Sequence, residues 1–148
     1  MLRILNDSRP ELRAQLLRHF GLPAFRPGQA EVIQAVLEGR NAVVVMPTGA
    51  GKSLCYQLPA VMLTGVTLVV SPLIALMKDQ VEQLRARGIS AAFINSSLSD
   101  AERAERLREV RSGLYKLVYV APERFRSPAF LDALSERCTD SAPRRVAQ

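Results

Sequence analysis

The run Ala42-Val43-Val44-Val45-Met46 passes without interruption into Pro47-Thr48-Gly49-Ala50-Gly51-Lys52-Ser53. Five consecutive apolar residues cannot be sorted onto one wet and one dry face. Such a run reads as a strand covered on both sides, as the strands of parallel sheets are. The two glycines that follow permit a tight turn. A helix is then expected to start near Gly51 and run through Leu63, kinked or shortened at Pro59. A strand leading through such a turn into a helix is the βα unit of an α/β protein.

The same alternation continues along the chain. Val66–Val70 reads as a second buried strand. Ser71-Pro72 predicts a helix with serine as N-cap and proline in its first position. Leu73, Leu76, Met77, Val81 and Leu84 form its apolar stripe, and Gly88 ends it. Ala91–Ile94 is a third short strand. Ser99 and Glu102 have capping-box spacing for a helix through Arg111, burying Ala101, Ala104, Leu107 and Val110. Leu117–Val120 is a fourth strand, followed by Ala121-Pro122-Glu123-Arg124-Phe125. Upstream, residues 11–20 read as a helix with Leu12, Leu16, Leu17 and Phe20 on one side. Gln29 to Glu38 reads as another, stopped by Gly39.

Four alternations predict a parallel sheet with helices on both faces. Ligands of such sheets gather at the carboxyl ends of the strands. Segments 47–53, 71–80 and 121–125 all leave strands at that edge.

The loop chemistry is that of phosphate binding. Gly49 and Gly51 let backbone N–H groups point inward, and the next helix offers its positive dipole end. Lys52 would reach the β- and γ-phosphates of ATP as its catalytic cation, and the Ser53 hydroxyl would ligate Mg²⁺. The general pattern places glycine where this chain has Met46, so the loop departs from it at its first position. The chain holds three lysines, Lys52, Lys78 and Lys116, among 20 basic residues. In a sequence so inclined to arginine, a lysine marks a place for a compact ammonium. The competing reading is a glycine-containing connector with no ligand.

Composition narrows the partners. A net charge of +6 favours an acidic one such as nucleic acid. Two cysteines far apart, Cys55 and Cys138, and a single histidine, His19, argue against a zinc site or a disulfide framework. Free thiols fit a reducing cytoplasm. The first residues lack the apolar core of a signal peptide, and no stretch approaches the length of a membrane span.

Four segments, in order, resemble the RecQ family of ATP-dependent DNA helicases. They are Phe20-Gly21 with Phe25-Arg26-Pro27-Gly28-Gln29, Met46 to Tyr56, Val70 to Val81, and Val120-Ala121-Pro122-Glu123-Arg124. The resemblance covers residues 20 to about 125, and the family's own phosphate loop carries Met at the position of Met46. It implies a RecA-like P-loop NTPase domain over 20–125; a helical lead-in is expected at 1–19, and a short helix with a non-native-looking or disordered tail at 126–148. It also implies a nucleotide site built from Arg26, Gln29, Pro47, Thr48, Gly49, Ala50, Gly51, Lys52 and Ser53, with Gln29 reading the adenine edge. Leu22 stands where the family often carries an aromatic that stacks on the base. Single-stranded DNA would meet Ser71, Pro72, Lys78 and Arg124. Taken alone, Gln29 is equally the first residue of a helix, Lys78 a solvated side chain, and Ala121–Arg124 a strand-to-helix turn.

The family holds Mg²⁺ and orients water with an Asp-Glu-x-His motif on a later strand. No Asp-Glu dipeptide occurs in this chain. The domain is therefore expected to be incomplete, ending before that motif, with the remainder of the helicase required in cis. The strands that carry those motifs lie beside the phosphate-loop strand, so its apolar edge is expected to be exposed. Glu123 falls where the resemblance places a DNA-facing turn and is a poor substitute base. The leading expectation is the ATP- and DNA-binding part of a 3′-to-5′ helicase of repair and recombination, in the bacterial cytoplasm or nucleoid. A nucleotide- or DNA-binding chain without turnover, or an unrelated P-loop ATPase, stays open.

Overall fold

A computed structural model describes residues 10–135 and, as backbone alone, 144–147. Cys138 and the ends of the expected lead-in and tail lie outside the described residues. The chain divides between Met62 and Leu63 into two units, each taken here by itself.

The first unit is helical. Leu12 and Leu16 stand one turn apart on α1 (Pro10–Phe20) and are both buried. Ile33 of α2 (Gln29–Leu37) and Leu54 and Leu58 of α3 (Leu54–Met62) close a core around them. Leu17, expected beside Leu12, is exposed, because one residue of offset turns its side chain about 100° away from the Leu16 direction. The chain enters α2 through Gly28 at φ 84° and leaves it through Gly39 at φ 76°. Both values lie in the left-handed region that glycine alone adopts cheaply.

α3 begins at Leu54 rather than near Gly51. The N–H groups of Leu54 and Cys55 bond to the carbonyls of Gly51 and Lys52, at 3.2 and 3.0 Å. These i→i−3 bonds wind the intervening turn more tightly than an α-helix. Pro59 is buried inside α3, which continues to Met62 and is not cut short there.

The valine run at 42–46 does not form the expected strand. Residues 40–47 carry no regular structure, and Val43 and Val45 are 95% and 92% exposed. A strand is a pairing of backbones before it is an apolar pattern. Among the described residues no strand pairs with this run, so its valines have no sheet in which to be buried.

The second unit is a parallel sheet with helices. Its strands are β1 (Thr67–Val70), β2 (Ala91–Ile94), β3 (Leu117–Val120) and β4 (Arg144–Ala147), in the order β2-β3-β1-β4. Leu68 of β1 lies opposite Val118 of β3, which lies opposite Ala92 of β2. β4 pairs with β1 in the same direction, setting Val69 opposite Val146. This corrects the expectation of a tail without a strand: backbone pairing with β1, and not an apolar pattern, makes Arg144–Ala147 a strand.

The helices are α4 (Ile74–Ala86), α5 (Asp100–Ser112) and α6 (Pro128–Ser135), with a 3₁₀ turn at Pro122–Arg126. Leu68, Val118, Val120, Leu107, Val110 and Phe130 share one core. Each such side chain contributes roughly 1.5–3 kcal/mol relative to exposure. On α4 only Met77, Val81 and Leu84 are buried, while Leu73 and Leu76 are exposed. On α5 Leu107 and Val110 are buried as expected, but Ala101 and Ala104 are exposed. The half-buried stems of Arg103 and Arg106 lie toward the protein on that helix.

Candidate phosphate-binding loop and strand-edge residues

Gly49 and Gly51 take φ of 81° and 82°, so the loop makes the turn for which two glycines are needed. Ala50 N–H closes it on the Pro47 carbonyl at 3.2 Å. The N–H groups of Gly51, Lys52 and Ser53 donate to no carbonyl among the described residues. Three successive uncommitted donors at the start of a helix make a concavity for an anion.

Three side chains hold the loop from its carbonyl side. Lys52 Nζ donates to the carbonyls of Met46 and Pro47, at 2.7 and 3.2 Å. Arg26 Nη1 donates to the carbonyl of Gly49. Gln29 Nε2 donates to the carbonyls of Gly51 and Ala50, at 2.9 and 3.4 Å, while its Oε1 accepts from Arg26 N–H at 2.8 Å. Gln29 is 3% exposed. Its amide is thus turned onto the loop instead of standing open for the edge of a base. Nothing in the residue pattern foretold this, since an amide serves either role. Pro47 and Thr48 form the exposed shoulder of the loop, and Ser53 is half-buried at its end.

The group implied by this loop fits it. The positive φ of Gly51 strains any other residue, and a Cβ there would also displace the end of the Gln29 side chain, 2.5 Å away. For a cation, Ser53 offers one hydroxyl, and the described residues contain no cluster of three metal-ligating side chains. Cys55, one turn on, is buried, and that burial pushes its thiol pKa up. It behaves as a small apolar residue.

In the second unit the carboxyl ends of β1, β2 and β3 lead into Ser71, Asn95 and Ala121. Ser71, expected to cap a helix and meet a strand of DNA, is 1% exposed. Its Oγ accepts from Leu73 N–H at 3.2 Å, and α4 starts only at Ile74. The serine thus makes a local turn ahead of the helix, and the helix cap passes to Leu73. Pro72 is exposed. Lys78 is exposed and 4.0 Å from Glu82. Arg124 is half-buried, and its Nε is buried with no hydrogen-bond partner among the described residues. Asn95, which sequence reasoning passed over, is fully buried. Its Oδ1 accepts from Ser97 N–H and Oγ, at 2.9 and 2.7 Å, fastening the turn after β2. The Asn-x-Ser spacing was its available signal.

Residues 26–141 match the family model described as DEAD/DEAH box helicase. The chain belongs to that family. It is similar to the ATP-dependent DNA helicase RecQ of Bacillus subtilis, 53% identical over 125 residues, which span 82% of this chain and 21% of that protein. It is 50% identical over 127 residues to the RecQ of Haemophilus influenzae, spanning 86% and 20%. The chain therefore spans about a fifth of the length of these RecQ relatives. Among solved structures, a hypothetical ATP-dependent RNA helicase from Sulfolobus tokodaii has a TM-score of 0.66 at 19% identity, over 94% of this chain and 50% of that one. This shows a helicase fold. The DUF1998 helicase MrfA, solved bound to DNA and AMPPNP, has a TM-score of 0.67 at 25% identity, over 88% and 19%. A DEAD/DEAH helicase domain accounts for both the strand–helix alternation and the phosphate loop. No described helix is long and apolar enough to cross a membrane.

Proposed function

We propose that this chain is the ATP- and single-stranded-DNA-binding part of a RecQ-like helicase that couples ATP hydrolysis to 3′-to-5′ movement in DNA repair and recombination, in the cytoplasm. The observation that carries the reading is the loop whose N–H groups at Gly51, Lys52 and Ser53 donate to no carbonyl among the described residues. A triphosphate would sit against those donors, with Lys52 leaving its carbonyls for the β- and γ-phosphates and Ser53 meeting Mg²⁺. When bound, Mg²⁺ would supply charge neutralisation at the phosphates. Arg26 and Gln29 would flank the nucleotide, and Pro47, Thr48, Gly49 and Ala50 would shape its cradle. Pro72, Lys78 and Arg124 would meet DNA phosphates, an interaction weakened by salt. The names of the RecQ relatives and of the DNA-bound neighbour support the choice of DNA and ATP.

A second reading is binding without turnover. It is favoured by the lack of any Asp-Glu dipeptide in the sequence and of a carboxylate cluster among the described residues. ATP turnover is measured with and without single-stranded DNA, in the wild type and in Lys52→Ala. Turnover stimulated by DNA and lost in the variant supports the motor; ATP binding without turnover supports the second reading. A wild type that binds no ATP overturns both.

A further inference from the structure

We infer that the amino edge of the sheet in the second unit is a surface for the phosphate backbone of duplex DNA. It lies at the other end of the strands from Ser71 and Arg124, and uses residues that belong neither to the phosphate loop nor to the single-strand path.

The strand register brings two turns together there. Ala91, the first residue of β2, lies opposite Leu117, the first of β3. The Ser90 carbonyl accepts from the N–H groups of Lys116 and Leu117, at 2.9 and 3.3 Å. The ends of α4 and α5 therefore arrive side by side. Segments 85–90 and 105–116 carry Arg85, Arg87, Arg106, Arg108, Arg111 and Lys116 against two carboxylates, Glu105 and Glu109. Segments 71–80, 95–102 and 121–127, at the carboxyl edge, carry three cations against four carboxylates. The basic excess of this unit thus lies away from the edge where ligands of parallel sheets gather.

Little at the amino edge offsets that charge. Arg85 Nε, Arg87 Nη1 and Lys116 Nζ donate to the backbone carbonyls of Ala91, Gln83 and Leu63, at 2.8, 3.1 and 2.9 Å. A neutral carbonyl takes the hydrogen bond and leaves the full positive charge in place. Arg108 is exposed and has no hydrogen bond or ion pair among the described residues. Glu109 is already shared by Arg106 and the Tyr115 hydroxyl. The last turn of a helix favours a cation, which accounts for Arg85 and Arg111. It asks for neither Arg108, before the last turn, nor Lys116, beyond the helix.

The chemistry selects a duplex. Five of the six cations are arginine, whose planar fork meets a phosphate through two donors. Proteins that hold single strands add aromatic faces on which bases stack. The one aromatic side chain of these two segments, Tyr115, is buried with its hydroxyl engaged. Only phosphates are met here, and a duplex presents them densely, one charge per about 1.7 Å of axis.

The whole chain is titrated with a labelled blunt duplex, and separately with a labelled single strand, by fluorescence anisotropy over a series of salt concentrations. Wild type is compared with Arg87→Gln plus Arg108→Gln, and with Arg87→Lys plus Arg108→Lys, which keeps both charges. The glutamine pair should flatten the duplex slope of log affinity against log salt by about 1.8, two contacts at about 0.9 each, and leave the single-strand slope unchanged. The lysine pair should keep the wild-type slope. Arg108→Gln alone, which breaks no contact in the fold, should show half the flattening. An unchanged duplex slope in the glutamine variants, or a wild type that binds no duplex, overturns the inference. Equal flattening for duplex and single strand overturns it too, because a general field would then account for the effect. Polyglutamate binding that is lost in the glutamine pair while duplex binding is untouched would assign the surface to an acidic protein instead. A wild type that binds duplex as expected but no single strand upholds the inference and counts against the single-strand path alone.

Discussion

Gln29 Nε2 lies 2.9 Å from the carbonyl oxygen of Gly51, and the same nitrogen stands 2.5 Å from where a Cβ on Gly51 would be. The positive φ of Gly51 favours glycine, and any Cβ there would in addition push the end of the Gln29 side chain aside. Gly49 shares only the first, since nothing lies within 4 Å of its missing Cβ.

The two glycines should therefore respond differently to alanine. Gly49→Ala should cost about 1–2 kcal/mol, the strain of a left-handed alanine. Gly51→Ala should cost more, because the Gln29 amide must also retreat. Urea melts of the two variants measure the difference; equal losses would mean that the Gln29 contact constrains nothing.

The helix start at Ser99 gives a prediction in the second unit. Its Oγ accepts from Glu102 N–H while the Glu102 carboxylate takes the Ser99 N–H at 2.8 Å. Ser99→Ala should destabilise the unit by about 1 kcal/mol. The Ser99 side chain, its backbone N–H second, holds the exposed Glu102 carboxyl below its ordinary value of 4.5. A folded pKa below the unfolded one stabilises above the unfolded value and ceases to do so as pH falls through the folded one. Urea melts from pH 6 downward should show that acid-side loss in the wild type and a smaller one in Ser99→Ala.

That cap was legible from four letters, because it depends on residues three apart. So were the glycine stops at Gly39 and Gly88 and the strands at Thr67, Ala91 and Leu117. The valine run failed for the opposite reason. Val43 and Val45 have the composition of a buried strand, but pairing is a non-local property that the run itself does not contain. The start of α4 was misread because Ser71 has two ways to satisfy a nearby N–H, and it bonds Leu73 before the helix instead of capping it. The loop at 47–53 was read correctly as a turn of positive-φ glycines, while the tie from Gln29 was invisible because an amide can face either way.

Tyr115, just after α5, forms a polar knot with Arg106 and Glu109 on that helix. Tyr115 donates its hydroxyl hydrogen to Glu109 Oε2, and Arg106 Nη1 reaches the same oxygen at 3.0 Å. The Tyr115 hydrogen bond is the foremost cause holding the Glu109 carboxyl below 4.5. Tyr115→Phe should cost about 1 kcal/mol at neutral pH, the net worth of such a bond. Its sign with pH follows from the depressed carboxyl: the wild type's advantage is present above 4.5 and fades as acid protonates Glu109. Parallel melts at pH 7 and pH 3 should converge; a constant gap would mean the tyrosine acts only by packing.

Val43 and Val45 are the most exposed large apolar side chains described, and their backbone pairs with no described strand. Such an edge invites another chain. Val43→Lys with Val45→Lys should change stability by no more than about 0.5 kcal/mol, as surface substitutions do. It should also reduce self-association, read by light scattering against concentration. A large loss of stability would show instead that these valines are buried in solution.

The strand-edge residues separate by exposure, and DNA binding can read the separation. Lys78 stands in solvent and Arg124 is half-buried, whereas Ser71 is buried with its Oγ bonded to Leu73 N–H. A cation on a phosphate contributes to the slope of log affinity against log salt, about 0.7 for each contact on a single strand. Arg124→Ala and Lys78→Ala should each weaken binding of single-stranded DNA and flatten that slope by about this amount. Ser71→Ala should leave the slope alone, because a buried neutral hydroxyl releases no counterion. Fluorescence anisotropy with a labelled oligonucleotide over a series of salt concentrations supplies the measurement. A flattened slope in Ser71→Ala, or an unchanged one in both cation variants, would move the DNA path off this edge of the sheet.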